Sequence, residues 1–456
     1  MATATAPSSA VSVSGIRIWL THYGVYCLAI VFFAAFGVKF LKDDEESLWR
    51  TTYVLAAQEM FAGEQIYHLG NYCYAYPPAM ALYSMPLAFL PTDASLFGWY
   101  CVNVVATCVT FTCAWRLVGG PKFSATSGTW MVVFWLGILL AGRHILSPLE
   151  NRQSDMCIAA FAMAGCLALA KLRDGWSGVL LGIAASMKLT PLLFVPYLAI
   201  RGRWKAAVVM ATVCLGVNLV PDLLFPQQSG RLYLAEWRRV FFTEAKASAP
   251  GQWAQEDAIG QLRLNQSLAA LYHRYVMFGL PSSPEEIETY DLQMSPAAHT
   301  TIRWLTNGTA LALLAATGWL MRRPAGISPL NRGGELQVAI DAGAVLSLMV
   351  LISPMSSKAH YVVLLLPALV IARLAVERRT TAVLSVTAAL LITGTLTSKG
   401  LISKPIGETL ALWGLPTYYA VACLAGMWLV QTMLRREAQT SHELPDASAS
   451  TLARAA

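Results

Sequence analysis

Stretches of roughly twenty apolar residues recur from one end of this 456-residue chain to the other, and no soluble fold buries that many. Such segments become membrane-spanning helices, because hydrocarbon offers the backbone no hydrogen-bond partner and a helix satisfies its own. Spanning segments are predicted near 18–40, 96–117, 129–146, 155–172, 204–225, 301–321, 337–352, 361–376, 381–396 and 410–434. Two apolar stretches are too short or too interrupted to span simply: 77–90, which contains Pro86, and 176–200, broken by Lys188-Leu189-Thr190-Pro191. Membranes tolerate such broken elements only where protein or a wet cavity covers the exposed backbone. The expected fold is an all-α polytopic integral membrane protein with about 11–13 transmembrane helices and two large extracytoplasmic loops. Charged residues make up only 13% of the chain, against about 25% in soluble domains.

The net charge of +7 does not point to nucleic acid, because the Lys and Arg residues are scattered in small groups between apolar segments. Those groups act as positive-inside anchors. They place Arg116/Lys122, Lys171/Arg173, Arg201/Arg203/Lys205, Arg322/Arg323/Arg332, Arg373/Arg378/Arg379 and Arg435/Arg436 on the cytoplasmic side. The map then reads 1–16 as a disordered cytoplasmic tail and 17–225 as an N-terminal transmembrane module containing the external loop 41–76. An extracytoplasmic loop at 226–300, C-terminal helices over 301–434 and a disordered cytoplasmic tail at 435–456 follow. The orientation requires 176–200 to be a hairpin with Lys188 at its tip, and 77–90 to enter the membrane without crossing it. Eight of the nine cysteines lie in apolar runs, which argues against a disulfide framework or a zinc site.

Polar residues that could carry chemistry fall at the outer ends of the apolar segments. Asp43, Asp44, Glu45 and Glu46 open the first external loop; they form either a solvated helix cap or, in one of them, a general base for a hydroxyl nucleophile. The stretch 48–61 has the mixed pattern of a helix lying in the interface. Tyr74, Tyr76, Pro77 and Pro78 give a rigid aromatic entry to the next segment, and Asn151, Arg152, Gln153 and Asp155 form a polar cluster. Lys188 stands alone in an apolar hairpin, where an ionisable residue either snorkels or marks a functional site; a lipid-borne phosphate is a natural partner. Lys358 and His360 lie in SPMSSKAHY on the same outer side.

The order of these motifs resembles glycosyltransferase family 87, of the GT-C superfamily. The resemblance rests on Tyr53, Ala56, Ala57, Ala62-Gly63-Glu64 and Tyr67, then Y-x-Y-P-P, P-L-A-x-L-P, N-x-Q, G-x-A-x-x-x-K-x-x-P and S-P-x-x-x-x-x-H-Y, from about Asp43 to Pro367. It implies a GT-C-like enzyme of the plasma membrane that moves a hexose, often mannose, from a polyprenyl-phosphate carrier to a lipid or glycan acceptor. The active site would be extracytoplasmic and surrounded by membrane lipids. The expected catalytic residues are Asp43 and Asp44, and the expected substrate-binding residues are Tyr76, Asn151, Gln153, Lys188, Lys358 and His360. No metal cage is evident, although a divalent ion could assist the phosphate. One departure stands out: the family's acid lies four residues before the tyrosine of Y-x-x-A-A, where this chain has Trp49. Two alternatives remain at this stage, a flippase or transporter of a lipid-linked sugar and an inactive lipid-binding homologue.

Overall fold

The computed structural model describes residues 13–42, 47–67, 74–122, 128–240, 264–281, 295–324, 334–397 and 401–443, and these contain helices and no strands. The first half comprises α1 (Val13–Lys42), a π-helical stretch (Trp49–Val54) running into α2 (Leu55–Phe61), α3 (Pro78–Ala88), α4 (Thr92–Leu117), α5 (Gly128–Glu150), α6 (Asp155–Ala170) and α7 (Asp174–Met187). A 3-10 turn (Thr190–Leu193) leads into α8 (Phe194–Ile200), followed by α9 (Trp204–Leu224), α10 (Tyr233–Arg238) and α11 (Leu268–Phe278). The remainder is α12 (Pro296–Met321), α13 (Glu335–Ile352), a 3-10 helix (Lys358–Leu364) continuing as α14 (Leu365–Glu377), α15 (Thr381–Thr395), α16 (Lys404–Leu412) and α17 (Leu415–Glu443). Seven of the described helices are long and apolar enough to cross a membrane, and three shorter apolar helices join them. The segment predicted at 410–434 is divided at Gly414, whose φ of +85° is a left-handed conformation open to glycine.

The bundle has two chemically distinct ends. At one end Arg373 donates to the Val118 carbonyl at 2.7 Å, Arg378 pairs with Glu437 at 3.0 Å, and Gln431 donates to the Arg323 carbonyl. Gln431 also accepts from Gln337, Arg201 pairs with Asp341, and Arg203 pairs with Asp174. This chain of contacts brings the basic groups around Arg116, Arg173, Arg201, Arg322, Arg373 and Arg435 to one level. The other end holds both folded loop regions and the polar cleft described below.

The interrupted segments behave as packing demands. Pro191 lacks an N–H for the Met187 carbonyl and crowds it, so α7 ends and Lys188 is extended, with φ −158° and ψ 130°. The chain then returns until Arg203 meets Asp174 at 2.6 Å, so Lys188 is the tip of a hairpin. As a result α7 and α9 run parallel. A Cβ on Gly178 would lie 2.7 Å from the Ala206 carbonyl oxygen, and one on Gly182 would lie 2.7 Å from Val213 Cβ. Small residues four apart permit this close backbone approach. At eleven residues, α3 is about 16 Å long. Both its ends stay near the cleft end of the bundle: the Ala79 N–H donates to Asn218 Oδ1, and Gln58 donates to the Ala88 carbonyl.

Candidate active site

The segment 47–67 folds onto this end by burying one face. Trp49, Tyr53, Ala56, Ala57 and Met60 are all buried, matching the spacing of a helix laid on a surface. Trp49 stacks on Trp99 with ring centroids 4.3 Å apart and donates to Ser95 Oγ at 3.0 Å, so it plugs the scaffold and presents no acid. Tyr53 accepts from the Ser154 N–H at 3.3 Å and donates to Tyr76 Oη at 2.7 Å. Burial, then the charge of Asp155, pushes the Tyr53 phenol up, so it remains a hydrogen-bond donor. Since Tyr76 accepts the Tyr53 proton, its own O–H is left to point elsewhere.

Asp155 is the first residue of α6, and the turn before it is tightly specified. Arg152 adopts φ +52°, uncommon without glycine. The Arg152 guanidinium donates to the Phe40 carbonyl, and Trp99 donates to the Arg152 carbonyl at 2.9 Å. These two bonds hold the bend and deliver the Asp155 side chain, which is 3% exposed, to the bundle interior.

Three elements converge there. Lys188 Nζ, from the hairpin tip, lies 3.0 Å from Asp155 Oδ1. His360 Nε2, from the 3-10 helix before α14, lies 3.8 Å from Asp155 Oδ2. The Ser357 N–H donates to His360 Nδ1 at 3.2 Å, which leaves Nε2 to carry the proton of a neutral ring and directs that N–H toward the carboxylate. The groups border a cleft of about 280 Å3, part of it open to solvent. Its lining is mixed: Asp155, Lys188, Thr190, Ser353, Ser356 and His360 are polar, and Ile158, Met349, Val350 and Val363 are apolar.

The second loop is fastened to the wall of this cleft. Asn265 donates to the Pro354 carbonyl at 2.8 Å and accepts from the Ser356 N–H at 2.9 Å. The Gln266 carbonyl accepts from Tyr361 and Thr417, and the Arg274 guanidinium donates to the Asn265 carbonyl. The NQS sequence thus serves as a clasp holding the serine-rich turn 353–357 beside His360.

Of the residues expected from sequence, Lys188 and His360 meet, with Lys358 two residues away on the same 3-10 helix. Tyr76 reaches the site through Tyr53 and Ser154. Asn151 is exposed and donates to Ser147 Oγ at 3.4 Å, while Gln153 has a buried Oε1 with no partner. Asp43 and Asp44 lie outside the described residues. The residue undervalued in the sequence is Asp155. Its signal was present, an acid opening an otherwise apolar segment, but nothing local says that Lys188 lies opposite. Among the described residues no group of three or more His, Cys, Asp or Glu is placed to hold a metal.

A family model described as glycosyltransferase family 87 matches residues 74–354, more than half of the chain and including Asp155 and Lys188. The chain belongs to glycosyltransferase family 87. It is therefore a membrane hexosyltransferase, and a transporter is no longer needed to explain its polar cleft. Asp341, the clearest acid inside a late helix, is engaged at the basic end of the bundle by Arg201 through two bonds of 2.8 Å. Among its relatives is a polyprenol-phosphate-mannose-dependent alpha-(1-2)-phosphatidylinositol mannoside mannosyltransferase of Mycolicibacterium smegmatis (strain ATCC 700084 / mc(2)155). It is 26% identical over 85% of this chain and 83% of its own. A protein of the same description from Mycobacterium tuberculosis (strain ATCC 25618 / H37Rv) is 25% identical over 72% of this chain and 69% of its own. A phosphatidylinositol pentamannoside mannosyltransferase of Mycobacterium tuberculosis (strain CDC 1551 / Oshkosh) is 28% identical over 32% of this chain and 33% of its own.

Proposed function

We propose that this family 87 enzyme transfers mannose from a polyprenyl-phosphate carrier to a mannosylated lipid acceptor on the extracytoplasmic side of the plasma membrane. The observation that carries the reading is the convergence of Lys188 and His360 in a cleft that is polar at one set of residues and apolar at another. A prenyl phosphate needs both: cationic or N–H donors for the phosphate and apolar side chains for the first isoprene units. The names of the relatives supply the donor and the acceptor class. The gathering of basic groups at the opposite end of the bundle supports the orientation, since Lys and Arg mark the cytoplasmic side.

In this reaction an acceptor hydroxyl attacks the anomeric carbon while the bond from that carbon to the phosphate oxygen breaks. The hydroxyl proton passes to a carboxylate on the attacking side, for which Asp43 and Asp44, next in the sequence after Lys42, are the candidates. The charge growing on the departing polyprenyl phosphate is met by the Lys188 ammonium and the His360 N–H, interactions that strengthen as the bond breaks.

The test is transfer from radiolabelled polyprenyl-phosphate mannose to phosphatidylinositol mannosides by the purified protein in lipid nanodiscs. Wild type should transfer, Lys188→Ala should lower the rate by about a hundredfold or more, and one of Asp43→Asn and Asp44→Asn should abolish transfer. Absence of transfer from every polyprenyl-phosphate sugar tried, with the carrier still bound, would overturn the reading.

A further inference from the structure

We propose that Asp155 is a positioning residue for the donor: its carboxylate holds the Lys188 ammonium and orients the His360 Nε2–H so that both grip one phosphate. This rests on the donor reading above. The Asp155 carboxylate is buried, with Oδ1 on Lys188 at 3.0 Å and Oδ2 3.8 Å from His360. Oδ2 accepts no hydrogen bond, an uncommon state for a buried carboxylate oxygen. His360 Nε2 lies beyond hydrogen-bond distance of that oxygen, so the pair is near enough to orient and open enough to admit a phosphate.

Charge explains why the acid is needed. Lys188 projects from a hairpin tip among apolar neighbours, and a buried ammonium is costly without a counter-charge. Asp155, at the N-terminal end of α6, supplies it, and the helix dipole there favours the carboxylate. Geometry also argues against Asp155 as the proton acceptor. Its two oxygens face the two groups proposed to hold the leaving phosphate, whereas the base for the direct displacement described above works from the opposite side of the sugar. Lys188 bridges the two anions when the donor binds, its three N–H groups sufficing for a carboxylate and a phosphate oxygen together.

The experiment measures farnesyl phosphate affinity and steady-state transfer in nanodiscs for wild type, Asp155→Asn, Asp155→Glu, Lys188→Met and the double variant Asp155→Asn/Lys188→Met. Asp155→Asn should weaken farnesyl phosphate binding and raise the donor KM by about tenfold, with a smaller loss of kcat than Lys188→Met shows. Asp155→Glu keeps the charge and should recover part of the loss. On the Lys188→Met background the Asp155→Asn change should cost threefold or less, because most of its effect runs through the missing lysine. The double variant carries no unpaired buried charge, so it serves where a single variant fails to fold. Full additivity, unchanged affinity in the Asp155→Asn single variant, or a kcat loss of about a hundredfold at constant donor KM in that variant would overturn the proposal. Binding of farnesyl phosphate without transfer by wild type would sink the transferase reading while leaving the clamp intact.

Discussion

At the residue scale, the proposed role of His360 falls to Nε2, because Nδ1 accepts from the Ser357 N–H. A glutamine carries its amide nitrogen near the place of Nε2, so His360→Gln should keep the donor and lose less than about tenfold in transfer, whereas His360→Ala should lose about tenfold to a hundredfold. Equal losses in the two variants, measured at saturating acceptor, would remove the N–H from the account. Arg152 sits in a left-handed conformation that glycine adopts freely, but its guanidinium also ties the bend to the end of α1. Arg152→Gly should therefore relieve backbone strain yet loosen Asp155, with a net loss of about 1–2 kcal/mol in thermal unfolding. An increase in stability would show that strain outweighs the tether.

At the element scale, the hairpin tip is placed by the α7–α9 contact. Gly182→Val would drive a side chain into Val213 and the Met210 carbonyl, and the helices must part or shift. The expected cost is about 1–3 kcal/mol, together with a rise in donor KM because Lys188 moves with α7. A melting curve and a donor titration would check both. The helix α11 offers a pH test away from the cleft. Burial first, then Arg274 and His299, lowers the His273 pKa from the usual 6.5 to about 4. The folded state therefore holds a neutral ring that the unfolded chain protonates sooner, so its stabilisation is whole above pH 6.5 and lost as pH falls toward 4. Between pH 7 and 5 this should remove about 2 kcal/mol of local stability. Hydrogen exchange over α11 would read it, and His273→Phe should flatten the dependence.

At the scale of the whole molecule, the two ends of the bundle make an accessibility prediction. In a variant with its native cysteines replaced, Ser229→Cys at the start of the second loop should react with a membrane-impermeant maleimide added outside intact cells. Arg379→Cys at the basic end should react only after permeabilisation. The reverse pattern would invert the map and place the cleft in the cytoplasm. The dock of the second loop is a further whole-molecule feature. Asn265 bonds to Pro354 and Ser356, 89 and 91 positions away in the chain, and Asn265→Ala would leave the Ser356 N–H unpaired and the Pro354 carbonyl with only the 3.4 Å bond from Ser267. That change should lower transfer by releasing the turn before His360, at about 1–3 kcal/mol of stability; normal activity in the purified variant would show that the clasp is dispensable.

The recurring apolar stretches alone determined that this is a helical membrane protein, and apart from 410–434, which is divided at Gly414, they located most of the long segments within a few residues, because hydrocarbon solvent leaves the backbone no other choice. The ordered motifs likewise marked Lys188 and His360, since an ionisable side chain in an apolar stretch has few neutral explanations. What the chain could not display locally was partnership. Asp155 and Lys188 are 33 residues apart and His360 lies far beyond both, so their meeting depends on a hairpin fold-back and a parallel α7–α9 contact that no single segment encodes. Trp49 makes the same point from the other direction. Its position in the motif suggested a place for an acid, and only the stack on Trp99 and the bond to Ser95 show that side chain turned into the scaffold. Sequence specifies which groups are costly to bury; the tertiary structure decides which of them neutralise one another, because charge compensation is a matter of distance in space.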